Sequence, residues 1–262
     1  MLKHHFAYDF NQVKTDSRVM ETNAVSVTGT RNMLAKQANQ DAFLVKIKPN
    51  MACMAVADGL GSCKHSATGA KMAVACVEEW IEHDLEKYKD VSDEVVTIFH
   101  RKLINRWKTK VGVADYRQFD TTLLYLIVTN RYALVGGIGD GMILCHLGRE
   151  TTEYSWDKDD FSNRTLSLAS NGAADLMKGH FIELDESSLP LTVILATDGV
   201  AEDLEPASKA ALPEYLHSEL LKSNIVDLQH ELEQWVIHWK TEHHTDDRTF
   251  CMLNIYNKRE LI

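Results

Sequence analysis

The feature that most restricts the fold is a recurrence: three small or apolar runs each end in Asp-Gly. They are Met51-Ala52-Cys53-Met54-Ala55-Val56-Ala57 into Asp58-Gly59, Tyr132-Ala133-Leu134-Val135-Gly136-Gly137-Ile138-Gly139 into Asp140-Gly141, and Leu191-Thr192-Val193-Ile194-Leu195-Ala196-Thr197 into Asp198-Gly199. Such runs read as buried strands, and Asp-Gly reads as a tight turn. Each carboxylate is therefore expected at a sheet end, held rigidly beside backbone that glycine frees. Hard cations such as Mg²⁺ and Mn²⁺ take carboxylate, carbonyl and water oxygens as ligands. One Asp-Gly turn carries little meaning, but three in the same setting gather acids at one kind of place.

Two further acids join them. Asp41 opens the apolar run Ala42–Ile47, and Pro49-Asn50 turns the chain into the Met51 run. In an antiparallel hairpin Asp41 and Asp58 then lie at the same end. Asp246 stands just before the last apolar run, Thr249–Tyr256. Clustered carboxylates repel one another and raise each other's pKa. Divalent cations relieve that repulsion, and two of them about 3.5–4 Å apart can activate a bridging water and stabilise both oxygens of an in-line displacement. That is the chemistry of phosphate-ester hydrolysis.

The remaining sequence narrows the setting. With 262 residues, 45% hydrophobic and 25% charged, the chain can bury a sizeable core. No apolar run approaches the roughly 18 residues of a membrane span. Met1-Leu2-Lys3-His4-His5-Phe6 lacks the apolar core of a secretory signal. A cytoplasmic protein with no membrane partner is expected. The net charge of −10 argues against nucleic acid. The five cysteines, Cys53, Cys63, Cys76, Cys145 and Cys251, form no CxxC and mostly sit in apolar runs, so they read as reduced core thiols.

Residues 1–22 are polar and read as an N-terminal leader, with 23–262 as a single domain. Residues 23–29 alternate as a strand, and 30–40 read as a polar loop. Helices are expected from Ser66 through about Leu85, over 91–110, over 211–222 and over 225–240. Residues 119–128 read as a strand and 148–180 as a surface loop or flap, with Asp157, Asp159 and Asp160 clustered in it.

Taken in order, Asn39-Gln40-Asp41, Val56-Ala57-Asp58-Gly59-Leu60-Gly61, Phe119-Asp120-Thr121-Thr122, Gly139-Asp140-Gly141, Ala196-Thr197-Asp198-Gly199 and Asp246-Asp247-Arg248-Thr249 resemble the metal-dependent protein phosphatase family PP2C (PPM). Each motif alone is weak; the six in order span nearly the whole chain. The resemblance implies an α+β fold, an α-β-β-α sandwich of two antiparallel sheets flanked by helix pairs. It implies a serine/threonine phosphatase hydrolysing phosphoserine and phosphothreonine in proteins through water activated at a dinuclear Mn²⁺ or Mg²⁺ centre. Asp58 would bridge both metals, with the Gly59 carbonyl on one of them. Asp41 would complete the second metal's shell, Asp198 and Asp246 would bind the first, and Asp140 matches the acid of a third, weaker metal. Partners would be phosphorylated protein substrates and a cognate kinase.

There are departures. Lys36 stands where the family carries its phosphate-binding Arg, and it lacks the bidentate fork. Lys36 therefore joins Asp58 as a catalytic candidate, with Arg31 as a second phosphate-binding candidate. Leu60 replaces the His that many members carry, and His65 is a possible substitute proton donor. Gly139-Asp140-Gly141 lacks the Ser-Arg that commonly follows. These features resemble a divergent bacterial-type branch. An alternative is a phosphatase-like binding or regulatory module with weak turnover. An aspartate-nucleophile phosphatase is rejected, because Val200 stands where such enzymes need a second Asp. His4-His5 and His243-His244 lack zinc-site spacing, and His243 and His244 remain outer-shell candidates beside Asp246.

Overall fold

The computed structural model describes residues 6–83, 92–112, 114–154, 165–185, 189–239 and 245–258. Its strands are β1 (Phe6–Lys14), β2 (Arg18–Val27), β3 (Asp41–Lys48), β4 (Met51–Asp58), β5 (Leu123–Thr129), β6 (Tyr132–Ile138), β7 (Met142–Leu147), β8 (Glu150–Tyr154), β9 (Lys178–Glu183), β10 (Leu191–Ala196) and β11 (Arg248–Asn257). Its helices are α1 (Thr30–Ala35), α2 (Ser66–His83), α3 (Asp93–Lys110), α4 (Ala173–Leu176), α5 (Asp198–Ala201), α6 (Pro206–Lys222) and α7 (Ile225–Ile237). The strands form two antiparallel sheets, ordered β1-β2-β11-β10-β7-β8 and β3-β4-β5-β6-β9.

The unbroken apolar runs follow from burial on both faces. In β5, Leu123, Tyr125 and Ile127 pack toward α2 and α3, while Leu124, Leu126 and Val128 pack toward the other sheet. β4 divides in the same way, with Cys53, Ala55 and Ala57 on the helix side and Ala52, Met54 and Val56 between the sheets. A strand buried twice has no face to leave polar, so it reads as a continuous apolar run. A third core joins the outer face of the larger sheet to α6 and α7 through Ile194, Met252, Leu216, Leu228 and Leu232. The layers are therefore α-β-β-α, as expected. Cys53, Cys76, Cys145 and Cys251 are buried free thiols. Burial pushes the first three up to about 12, which keeps them protonated and inert.

Several expectations need correction. Residues 6–22 include β1 and the start of β2, so the polar stretch read as a leader is an edge hairpin of the larger sheet. It reads as polar because one side of an edge strand stays wet, and β1 is exposed along most of its length. The stretch 30–40 contains α1, which Lys36 ends in the left-handed conformation at φ 55°. The strand expected over 119–128 starts only at Leu123, because Thr121 and Thr122 donate to the Asp58 carbonyl at the end of β4 and Asp120 accepts from Ser167 and Ala169. The region 148–180 holds β8 and α4 and leads into β9. α6 starts at Pro206, where a proline suits a first turn whose N–H has no helical partner. Asp157, Asp159, Asp160, His4, His5, His243 and His244 lie outside the described residues.

Candidate metal centre

The β3–β4 hairpin closes at Pro49-Asn50, and its register sets Asp41 directly opposite Asp58. The Asp58 backbone turns the other way, toward Thr122: its N–H donates to Thr122 Oγ1 at 2.9 Å and its carbonyl accepts from Thr122 N–H at 2.8 Å. The next pair out, Gln40 and Gly59, carries the hydrogen bond between the strands, Gly59 N–H to Gln40 O at 3.2 Å. Asp41 and Asp58 are thus a non-hydrogen-bonded pair, the kind whose side chains lie closest. Thr121 Oγ1 donates to the Asp58 carbonyl at 2.8 Å, which completes a clamp on this residue.

The other acids arrive at the same end. Asp140 follows β6 and Asp198 opens α5 directly after β10. Carboxylate oxygens of Asp58, Asp140 and Asp198 all lie within 4.8 Å of one another. Thr165 Oγ1 donates to Asp140 Oδ2 at 2.6 Å. Close backbone contact fixes the fifth strand end. A Cβ on Gly29 would fall 2.2 Å from the Asp246 carbonyl carbon, and one on Gly199 would fall 2.0 Å from the Asp247 carbonyl oxygen. Only glycine lets segment 245–247 lie between β2 and α5.

Within that segment the two acids have separate tasks. Asp247 is buried and accepts from Gly29 N–H at 2.6 Å, Gln40 N–H at 2.6 Å and Asn32 Nδ2 at 2.8 Å. It ties β11 to the segment leading into β3. Asp246 is more open and holds Arg31 Nη2 at 2.8 Å.

Electrostatics mark the centre. Burial and the nearby Asp247 charge push Asp41 up to about 8, against the pull of the Thr249 and Thr197 hydroxyls. Burial, then the charges of Asp41, Asp198 and Asp246, hold Asp58 well above the usual carboxylate range. Burial, Asp140 and Asp246 push Asp198 up to about 6. A chain of hydroxyls supports Asp41 from below. Asn39 Nδ2 donates to Ser26 Oγ at 2.9 Å, and Ser26 lies 2.8 Å from Thr249 Oγ1. Thr249 and Thr197 donate to Asp41 Oδ2 at 2.7 and 2.8 Å. Among the described residues Asp41 Oδ1 is buried with no hydrogen-bond partner. An orphaned buried carboxylate oxygen beside three converging carboxylates has the chemistry of a site for hard divalent cations.

Of the expected residues, the structure brings Asp58, Asp140 and Asp198 into the tightest group. Asp41 sits cross-strand from Asp58, and Asp246 lies close enough to raise the pKa of both Asp58 and Asp198. Gly59 bridges to Thr121 at the Asp58 turn. Arg31 is exposed and reaches the site through Asp246; a Cβ on Gly61 would be 3.2 Å from its Nη2. Lys36 lies to one side, exposed, in a groove that starts at Asp41. His65 is exposed and rests on the Phe119 ring with centroids 5.0 Å apart. The hydroxyls of Ser26, Thr121, Thr122, Thr197 and Thr249 escaped the sequence reading as site residues. The one local signal was that two of these threonines stand directly beside acids of the motifs, Thr121 after Asp120 and Thr197 before Asp198. Asp120 binds no other acid; it accepts from Ser167 Oγ at 2.7 Å and Ala169 N–H at 3.0 Å and so anchors residues 167–169.

The fold is also that of solved serine/threonine phosphatases. The S. agalactiae serine/threonine phosphatase matches with a TM-score of 0.63 at 15% identity, over 90% of this chain and 99% of that one. RsbX in complex with magnesium matches with a TM-score of 0.57 at 16% identity, over 94% and 100%. The catalytic domain of PstP in complex with two manganese ions matches with a TM-score of 0.58 at 14% identity, over 91% and 99%. The Protein phosphatase 2C profile matches residues 28–236, and the chain belongs to that family. It is a protein phosphatase of the PP2C type. No curated protein matches the chain.

Proposed function

We propose that this protein hydrolyses phosphoserine and phosphothreonine in proteins at a dinuclear Mn²⁺ or Mg²⁺ centre. The observation that carries the reading is the convergence of Asp58, Asp140 and Asp198 beside the orphaned oxygen of Asp41. Asp58, Asp41, Asp198, Asp246 and the Gly59 carbonyl would hold the two ions, and Asp140 a third, weaker one. When bound, such ions lower the pKa of a coordinated water and neutralise charge on the phosphoryl group.

The chain's own residues do the rest. Thr121 and Thr122 fix the Asp58 backbone, and the Ser26-Thr249-Thr197 hydroxyls orient Asp41. Arg31 spends part of its planar fork on Asp246 and keeps further N–H donors for a phosphate oxygen. Its placement favours Arg31 over Lys36 for that contact, reversing the order expected from the sequence. Leu60 holds no transferable proton, so protonation of the leaving oxygen falls to solvent or to another side chain. A kinase of matching specificity would supply the substrate. Among the described residues no helix is long and apolar enough to cross a membrane.

The test is hydrolysis of p-nitrophenyl phosphate and a phosphothreonine peptide with and without Mn²⁺. Asp58→Asn should lower kcat/KM by about 100-fold, since several kcal/mol of charge stabilisation depend on the metals. Unchanged activity in that variant would remove the reading. The Arg31–Asp246 pair, which engages one proposed ligand, favours the second reading of a weakly catalytic binding module. Calorimetry separates the two, because that module would bind phosphopeptide without turnover.

A further inference from the structure

Beside the centre, a groove of about 850 Å³ opens on the side of the sandwich where both sheets end. Its lining includes Asp41, Phe43 and Leu44 of edge strand β3, Val74 and Ala75 of α2, and Phe6 of edge strand β1. β3 has a free edge. Since Gln40 pairs inward with Gly59, alternation turns the backbone N–H and C=O of Phe43 and Val45 outward, away from β4. Unpaired strand edges accept an added strand.

The charge of the groove runs against that of the molecule. The chain carries −10 net, yet the groove presents Lys36 and Lys71, which pair with no carboxylate among the described residues. Its one acid outside the centre, Glu78, is taken by Lys46 at 2.8 Å. Two uncompensated cations beside a free strand edge, with the acid cluster at one end, fit an extended chain that carries negative charge.

Resting on the phosphatase reading above, we infer that this groove receives the substrate segment flanking the phosphorylated residue. The segment adds along β3 and sets an acidic side chain against Lys36 and Lys71. The lining stretch of β3, Asp41 to Leu44, covers three residue steps, about 10 Å of extended chain. The acidic side chain therefore lies within about three residues of the phosphothreonine.

Two phosphothreonine peptides test this, one with glutamates and one with lysines at the flanking positions. The kcat/KM of the wild type should favour the glutamate peptide by about two- to fivefold, the range an exposed charge pair provides. Lys71→Glu should abolish or reverse that preference while p-nitrophenyl phosphate hydrolysis stays unchanged. Ala75→Trp, which fills the groove, should slow both peptides and spare p-nitrophenyl phosphate. Equal rates on the two peptides, or full peptide activity in the Ala75→Trp protein, would overturn the inference. So would a dimer that Ala75→Trp disrupts while the peptide kinetics stay intact. If wild-type protein hydrolyses nothing, the phosphatase reading fails separately. Fluorescence anisotropy with the same peptides then decides the groove: weaker binding of the glutamate peptide to Lys71→Glu supports it, and equal binding of all pairs overturns it.

Discussion

Asp41 shows what a buried carboxylate requires of its neighbours. One oxygen takes two threonine hydroxyls, and the other is left without a partner among the described residues, in a site that burial and nearby acids make hostile to charge. Thr249→Val would remove a donor and leave Asp41 Oδ2 short of a bond, at a cost of about 1–3 kcal/mol. Urea unfolding should show that loss. Mn²⁺ affinity should fall by about 10–100-fold, as when a residue supporting a metal ligand is removed. Thr249→Ser, which keeps the hydroxyl, should restore most of both, and a valine variant with normal metal affinity would show that the hydroxyl does not position Asp41. The acids were legible in the sequence because each stands where an apolar run stops or starts. Their hydroxyl partners were not, because Thr197 and Thr249 meet Asp41 from more than 150 positions away along the chain. Arg31 and Lys36 were likewise ranked by spacing, whereas their places depend on how α1 turns over the site.

Among the elements, the β3–β4 hairpin carries the most information per residue. Its two-residue turn fixes the register that faces Asp41 to Asp58, and a slip of one residue would send one acid to the opposite face. This much could be read from the positions of Pro49-Asn50 and the two acids. Burial at the α3–β5 contact could not. His100 meets the Tyr125 hydroxyl at 2.6 Å, and burial pulls its pKa down to about 4 from an ordinary 6.5. The folded state therefore holds His100 neutral. Its contribution is complete above pH 6.5 and is lost as pH falls toward 4, by roughly 3 kcal/mol over that interval. The stability advantage of wild type over His100→Gln should shrink by about that amount between pH 7 and pH 4. A difference that stays constant with pH would mean that His100 titrates normally.

At the scale of the whole molecule, the two sheets and two outer helix layers are a device for bringing strand ends together. Acids from four of those ends and from the loop before β11 crowd one site, and the fold keeps that crowding only against repulsion. Divalent cations should relieve it. Mn²⁺ at about 100 times its dissociation constant should add about 2.7 kcal/mol and raise Tm by about 5–10 °C. Asp198→Asn should reduce the shift sharply, and a Tm indifferent to Mn²⁺ in the wild type would argue against a metal centre. Patterning alone fixed the strands, most of the helices and the acids at strand ends, because runs buried on both faces cannot alternate; the α-β-β-α layering was implied by the resemblance to PP2C and not by periodicity. Only the tertiary structure decided which acids meet within 4.8 Å, that Asp247 turns inward while Asp246 holds Arg31, and that two lysines line a groove at a free strand edge. Periodicity is a local property that chain sterics impose on each element. Distances between elements depend on glycine contacts, on hydroxyl networks and on the way the two sheets close over one another.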